Sequence, residues 1–142
     1  MMNYSELIKE NRIREGKFSR KQIQDCFKLA KRDIRTAKKI IDDDPDWAYN
    51  IAYNAMLQAA RALMFSKGYR ATGEWQHAIT IRFAQITLGD EFASSLEFMD
   101  QMRRKRHRTV YDIAGLISTK EATEAIETAE DFVNAISEML KS

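Results

Sequence analysis

The sequence predicts an all-α protein, and two observations carry that prediction. The first is the scarcity of helix breakers, since 142 residues contain one proline and five glycines, which fall where helices are expected to end. The second is the spacing of apolar residues, which recur every three to four positions, the period of a single buried helix face. The length suits one domain, so we expect a single helical domain over residues 1–142, with residues 1–17 as a short charged extension.

Two long helices are predicted in the first half of the chain. Ser19 can cap a helix that runs to about Asp42 and carries one apolar stripe. Asp44 and Pro45 then favour a second helix, because Asp accepts N–H groups at an N-cap and Pro is tolerated in the first turn. This helix is expected to run to about Lys67. Its alanines would let neighbouring helices approach closely, which predicts a central position in a bundle for the helix that carries Ala48, Ala52, Ala55, Ala59 and Ala62.

Three further helices are predicted in the second half of the chain. A short helix spans about Glu74 to Thr87, and Gly89 and Asp90 begin another that leads directly into a basic stretch. The segment Ser118-Thr119-Lys120-Glu121 fits a capping box, so it predicts the start of a last long helix.

Composition excludes several classes of protein. A single cysteine, Cys26, cannot form an internal disulfide framework, and no Cys/His cluster has the spacing of a zinc site. No uncharged apolar run approaches the roughly 20 residues that cross a bilayer, and the N-terminus lacks the apolar core of a signal peptide. We therefore expect a cytoplasmic protein without membrane association.

Other conspicuous residues have simpler interpretations than a functional site. The acidic run at 42–46 lacks the ligand spacing of a calcium loop, so capping explains it better. His77 has no second ligand four residues away, and we interpret it as a surface or half-buried residue. Trp47 and Trp75 lie near predicted helix starts and are expected to close the core. The same packing role is predicted for Met56, Met64, Met99 and Met102.

The basic stretch from Arg103 to Asp112 is the main functional candidate. Five of the six residues from Arg103 to Arg108 are Arg or Lys, although the net charge of the chain is only +2. A solvated basic end of a helix would be the ordinary explanation. Mutual repulsion of five cations, however, favours a bound anion such as phosphate, and His107 and Tyr111 add groups that can transfer protons. Cleavage of RNA without a metal needs those groups and cations to stabilise the transition state.

Helix geometry constrains how this stretch could act. Arg106 and Tyr111 are five residues apart and project roughly 140° apart on a helix, so they cannot meet at one atom if the helix is unbroken. Either the helix ends within the motif, or a second copy of the chain completes the site across a two-fold axis. Arg103 and His107, four apart, would share one face.

Two segments resemble the HEPN superfamily of small helical-bundle proteins, over about Ser19 to Leu140. One is the helix segment at 53–63, Tyr-Asn-Ala-Met-Leu-Gln-Ala-Ala-Arg-Ala-Leu, and the other is Arg106-x4-Tyr111-Asp112. HEPN ribonucleases use an Arg-x(4–6)-His motif in a cleft between two protomers and need no metal. Here Arg106 matches the motif arginine and His107 the polar residue that follows it, whereas Tyr111 occupies the histidine position.

The resemblance implies an antiparallel up-and-down bundle of four long helices plus short ones, which forms a homodimer and binds RNA without a cofactor. It implies a metal-independent endoribonuclease of a toxin–antitoxin or defence module. Arg106 would stabilise transition-state charge, and His107 and Tyr111 would transfer protons. The residues expected to hold phosphate or orient these groups are Arg103, Arg104, Arg108 and Asp112. The alternative is a non-catalytic module that binds nucleotide or RNA, or docks a nucleotidyltransferase partner.

Overall fold

The computed structural model describes residues 3–111 and 114–141, with backbone only for Val110 and Tyr111. Within these ranges the chain forms six α-helices, a 3₁₀ turn at Gly89–Phe92 and a two-stranded sheet. In chain order the elements are α1 (Tyr4–Lys9), β1 (Ile13–Glu15), α2 (Arg20–Ile40), α3 (Pro45–Ser66), β2 (Tyr69–Ala71), α4 (Gln76–Leu88), α5 (Ala93–Tyr111) and α6 (Thr119–Met139). The all-α prediction is therefore confirmed, with a small sheet added.

Helix α3 is the centre of the bundle, as its alanines predicted. It packs against α2, α6, α4 and α5. The five alanines of the predicted face are all fully buried, so the backbones of the neighbouring helices can lie close to α3. Methionines fill the remaining gaps, and their predicted packing role is confirmed by the complete or nearly complete burial of Met56, Met64, Met99 and Met102.

Side chains that cap the helices fix where three of them begin. Ser19 accepts a hydrogen bond from the backbone N–H of Gln22, whose side chain accepts from the Ser19 N–H in return. Asp44 caps α3 by accepting from the Trp47 N–H at 3.0 Å. Ser118 and Glu121 form the predicted capping box of α6. Each of these starts was predicted from the sequence, because a cap depends only on residues within one turn.

The N-terminal segment differs from the predicted extension. Strand β1 pairs with β2 in antiparallel register, with Ile13 opposite Ala71. Leu7 and Ile13 are buried in a second small core, together with Met64, Ile79 and Phe83. This pairing joins residues that lie far apart in the sequence, and strands of three residues leave too short a pattern to recognise.

Both tryptophans are exposed, so the prediction that they close the core was wrong. Trp47 is 51% exposed and Trp75 is 67% exposed. Trp75 is the N-cap of α4, with φ of 64° and ψ of 32°, in the left-handed region that bulky residues rarely adopt. Proximity to a helix start does not determine the direction of a side chain, and these two indoles point to solvent. No helix in the described ranges is both long enough and apolar enough to cross a membrane.

Candidate functional site

The predicted motif lies on one unbroken helix. The described part of helix α5 continues to Tyr111, so the backbone from Arg106 to Tyr111 is helical. Positions 106 and 111 of the helix backbone therefore lie roughly 140° apart around the helix axis. The side chain of Tyr111 and all of Asp112 lie outside the described residues, so their expected roles stay predictions.

A cavity of about 330 Å³ lies where α5 faces the start of α4. Its α5 wall is formed by Arg103, Arg106 and His107, which share a face because Arg106 and His107 follow Arg103 by three and four residues. Its α4 wall is formed by the residues from Trp75 to Ala78. Two imidazoles and two guanidinium groups therefore line one cavity. Arg104 and Arg108, which we expected to bind phosphate, are exposed and do not line it.

His77, which the sequence analysis did not interpret as functional, also lines this cavity. Its Nδ1 lies 3.2 Å from the hydroxyl of Tyr53, a fully buried residue of α3. The Arg106 guanidinium lies over the same Tyr53 ring, 6.0 Å from its centroid, at the outer limit of a cation–π contact. Tyr53 thus underlies both His77 and Arg106, and it connects α4 with α5 through the central helix.

The surroundings of His77 keep its imidazole neutral. Although His77 is an exposed residue, its Nδ1 lies against the Tyr53 hydroxyl, and this partial burial of the ring lowers the pKa of His77 below its ordinary value of 6.5. The positive charges of Arg106, Arg103 and Arg61 lower that pKa further. Burial has the opposite effect on Tyr53, whose pKa is raised well above its ordinary value, so its hydroxyl keeps its proton.

The protein itself offsets much of the positive charge of the basic stretch. Arg103 and Arg104 both pair with Asp100, at 2.9 Å and 3.5 Å. Lys105 pairs with Glu121 of α6 at 2.5 Å, and this hydrogen bond lowers the pKa of the Glu121 carboxyl. The repulsion among the cations is thus smaller than the sequence suggested. Arg106 and Arg108 have no ion pair with any residue that the structure describes.

Polar contacts hold the end of α5 and part of the segment between α5 and α6 against α3. Asn50 is buried, and its side-chain amide donates to Thr109 Oγ1 at 3.0 Å. Asp46 accepts hydrogen bonds from the backbone N–H groups of Gly115 and Ile117, at 2.6 Å and 2.9 Å. These contacts position the helix turn that carries Arg106. They also give Asp46 a role beyond the capping that the acidic run suggested.

A second cavity of about 370 Å³ meets the first one at Gln76 and His77. It lies between α3 and α4, and its polar wall includes Asn54, Gln58 and Arg61. Asn54 Nδ2 donates to the buried carboxylate of Asp33 at 2.7 Å, which fixes that amide. The two cavities together form a polar cleft along α3, α4 and α5. No group of three or more His, Cys, Asp or Glu side chains that could hold a metal lies within residues 3–111 and 114–141.

Comparison with known proteins agrees with this architecture. The model of the HEPN domain matches residues 23–139, which is most of the chain and nearly the region in which we noted the resemblance. None of the curated proteins matches the sequence. The match includes α3 and α5, whose side chains build two walls of the cleft, and it leaves α1 and β1 outside. The chain belongs to the HEPN domain family.

Proposed function

We propose that the protein is a metal-independent endoribonuclease, acting as a homodimer in a toxin–antitoxin or defence module. One observation carries the proposal: His77, His107, Arg103 and Arg106 line a single cavity, in which the neutral form of the His77 imidazole is favoured. A neutral imidazole can accept a proton, a second imidazole can donate one, and guanidinium groups stabilise negative charge. These are the groups that transesterification of RNA requires.

The proposed reaction begins at His77. In the tautomer that donates Nδ1–H to the Tyr53 oxygen, Nε2 is unprotonated and takes the proton of the ribose 2′-hydroxyl. The 2′ oxygen attacks phosphorus, and the bond between phosphorus and the 5′ oxygen breaks. His107 donates a proton to that leaving oxygen, which yields a 2′,3′-cyclic phosphate and a 5′-hydroxyl. Arg106 and Arg103 stabilise the charge on the phosphoryl oxygens of the transition state.

The remaining predicted residues act around this centre. Tyr111 of a second protomer contacts the phosphate or shares in proton transfer, and Asp112 orients it. Arg104 and Arg108 bind flanking phosphates, a role that fits their exposed positions on α5. The exposed charge of these arginines would make binding of RNA weaker as salt increases.

The test is cleavage of labelled RNA by purified protein in EDTA. We expect Arg106→Ala and His77→Asn each to reduce the rate at least about 100-fold, the usual contribution of a positioned proton-transfer or charge-stabilising group. The matched control is Arg35→Ala, which removes the same charge from an exposed position on α2, outside both cavities. Cleavage that persists unchanged in the first two variants would rule out this site.

A second candidate function is supported by the tyrosine at the position of the family's histidine. In this case the same cleft binds RNA or a nucleotide, or docks a nucleotidyltransferase partner, without cleaving RNA. Wild-type protein that binds labelled RNA in EDTA but leaves it intact over hours would favour this alternative.

A further inference from the structure

Trp75 is a large aromatic side chain held in an unusual position beside the basic cavity. It is 67% exposed, the largest exposed fraction among the exposed large hydrophobic residues that the structure describes. It nevertheless lines the same cavity as Arg103, Arg106 and His107. An exposed indole next to cations is an arrangement that binds an aromatic ring attached to an anion.

Two features of the backbone make tryptophan an unfavourable residue at this position. Trp75 adopts the left-handed conformation, with φ of 64°, which is unfavourable for any residue with a bulky side chain. The residue also lacks a side-chain hydrogen bond to cap α4, so Trp75 is not retained there as a good helix cap. Neither burial nor capping accounts for a tryptophan at this position, whereas a ligand that stacks on it would.

We propose that Trp75 is a stacking platform for the nucleobase next to the phosphate bound by Arg103 and Arg106. This inference rests on the proposed RNA function of the cavity and specifies its substrate. A base that stacks on a protein side chain must leave its own helix, so the substrate is unpaired RNA. Stacking tolerates any base because every base has a π face, so the platform selects for single strands rather than for sequence.

Only two tryptophans are present in the chain, which allows a direct measurement. In Trp47→Phe, all indole fluorescence comes from Trp75. We expect adenosine monophosphate to quench this fluorescence in EDTA, and ribose 5-phosphate, which has the same kind of sugar phosphate but no base, to leave it nearly unchanged. In the matched control Trp75→Phe, the fluorescence of Trp47, which is exposed on α3 outside both cavities, should respond to neither.

Binding of an unpaired oligoribonucleotide gives the second measurement. We expect Trp75→Ala to weaken binding roughly 5- to 150-fold, the range known for loss of one stacked base, and Trp75→Tyr to restore part of it. The corresponding RNA duplex should bind wild type and Trp75→Ala with equal affinity. Circular dichroism would establish that the variants keep their helices.

Experiments can disprove the stacking platform and the ribonuclease activity separately. Base-dependent quenching without cleavage of RNA would support the stacking platform and contradict the ribonuclease. Cleavage of RNA together with equal responses to adenosine monophosphate and ribose 5-phosphate would contradict the platform and keep the ribonuclease. Unchanged oligonucleotide affinity in Trp75→Ala would also overturn the platform, and would leave the exposed indole as a contact for a protein partner.

Discussion

The hydrogen bond between His77 and Tyr53 lies in a field of positive charge, which adds to the effect of burial in lowering the pKa of the imidazole. Protonated His77 is repelled by Arg106 and Arg103, so the neutral form is favoured and the pKa is lowered. In the proposed mechanism, activity would be lost on the acidic side only when the pH falls to this lowered pKa. The arginines would therefore extend the range in which His77 can accept a proton.

Removing one of these positive charges directly tests their effect on the pKa of His77. In Arg106→Ala we expect the pKa of His77 to rise toward 6.5, because the imidazolium loses a repulsive neighbour. The measurement is an NMR titration of the His77 ring protons, which does not depend on activity. Arg35→Ala, on the exposed surface of α2, should leave the titration unchanged. A His77 pKa that stays the same or falls in Arg106→Ala would contradict this account.

Trp75 offers a second test at the scale of one residue. At a left-handed position a side chain is disfavoured by roughly 1–2 kcal/mol relative to glycine, although glycine also makes the unfolded chain more flexible. We therefore expect Trp75→Gly to be more stable than Trp75→Ala by up to about 1 kcal/mol in urea unfolding. At the exposed helical position Gln101, the order should reverse, with glycine less stable than alanine by about 0.5–1 kcal/mol. If the alanine variant is more stable than the glycine variant at both positions, the backbone at Trp75 is unstrained.

Among the helices, the contact between α3 and α5 determines where the basic stretch lies. The buried Asn50 amide and the Thr109 hydroxyl form the polar part of this contact, and Thr109 also donates to the Arg106 carbonyl at 2.9 Å. Apolar packing alone would allow α5 to slide or rotate slightly, whereas a buried hydrogen bond permits one register. Arg106 depends on that register for its place over Tyr53.

Replacing Thr109 with Val tests this contact with almost no change in shape. The variant leaves the Asn50 amide without its partner, so we expect a loss of about 1–3 kcal/mol in the free energy of unfolding. Thr123→Val on the exposed face of α6 is the control, since Thr123 bonds only to the Thr119 carbonyl and its loss should be within about 0.5 kcal/mol. Equal stabilities of the two variants would show that the Asn50–Thr109 bond contributes nothing.

At the scale of the whole molecule, the proposed site depends on dimerisation, because α5 is helical from Arg106 to Tyr111. Positions 106 and 111 of one helix lie roughly 140° apart around its axis, so the proposed reaction uses Tyr111 from a second copy. A closed two-fold dimer would contain two such sites, each with residues from both chains.

Mixing inactive variants tests this arrangement. Arg106→Ala and Tyr111→Phe should each be inactive alone, but their heterodimer contains one site with both native residues. After unfolding and refolding together, we expect about a quarter of the wild-type rate per chain, because about half of the dimers are mixed and half of their sites are intact. No recovery, with heterodimers demonstrated by mass spectrometry, would place both residues in the same protomer, whereas Tyr111→Phe that is active alone would show that Tyr111 is dispensable.

Local chemistry explains which predictions succeeded. The caps at Ser19, Asp44 and Ser118 and the buried alanine face of α3 all depend on residues within a few turns, so the sequence alone was enough to predict them. The sheet between β1 and β2 and the exposure of Trp75 depend on contacts between distant segments, which periodicity does not encode.

The same distinction between local and distant contacts applies to the candidate site. By itself the sequence determined the helical class, the helix starts, the family and the basic face of α5 that carries Arg103, Arg106 and His107. Only the tertiary structure brought His77 and Trp75 to that face, because α4 and α5 meet by packing directly against each other and no local pattern encodes that contact. The burial and the positive charges that lower the pKa of His77 likewise exist only once the helices are assembled, since both depend on distance in space and not on separation in sequence.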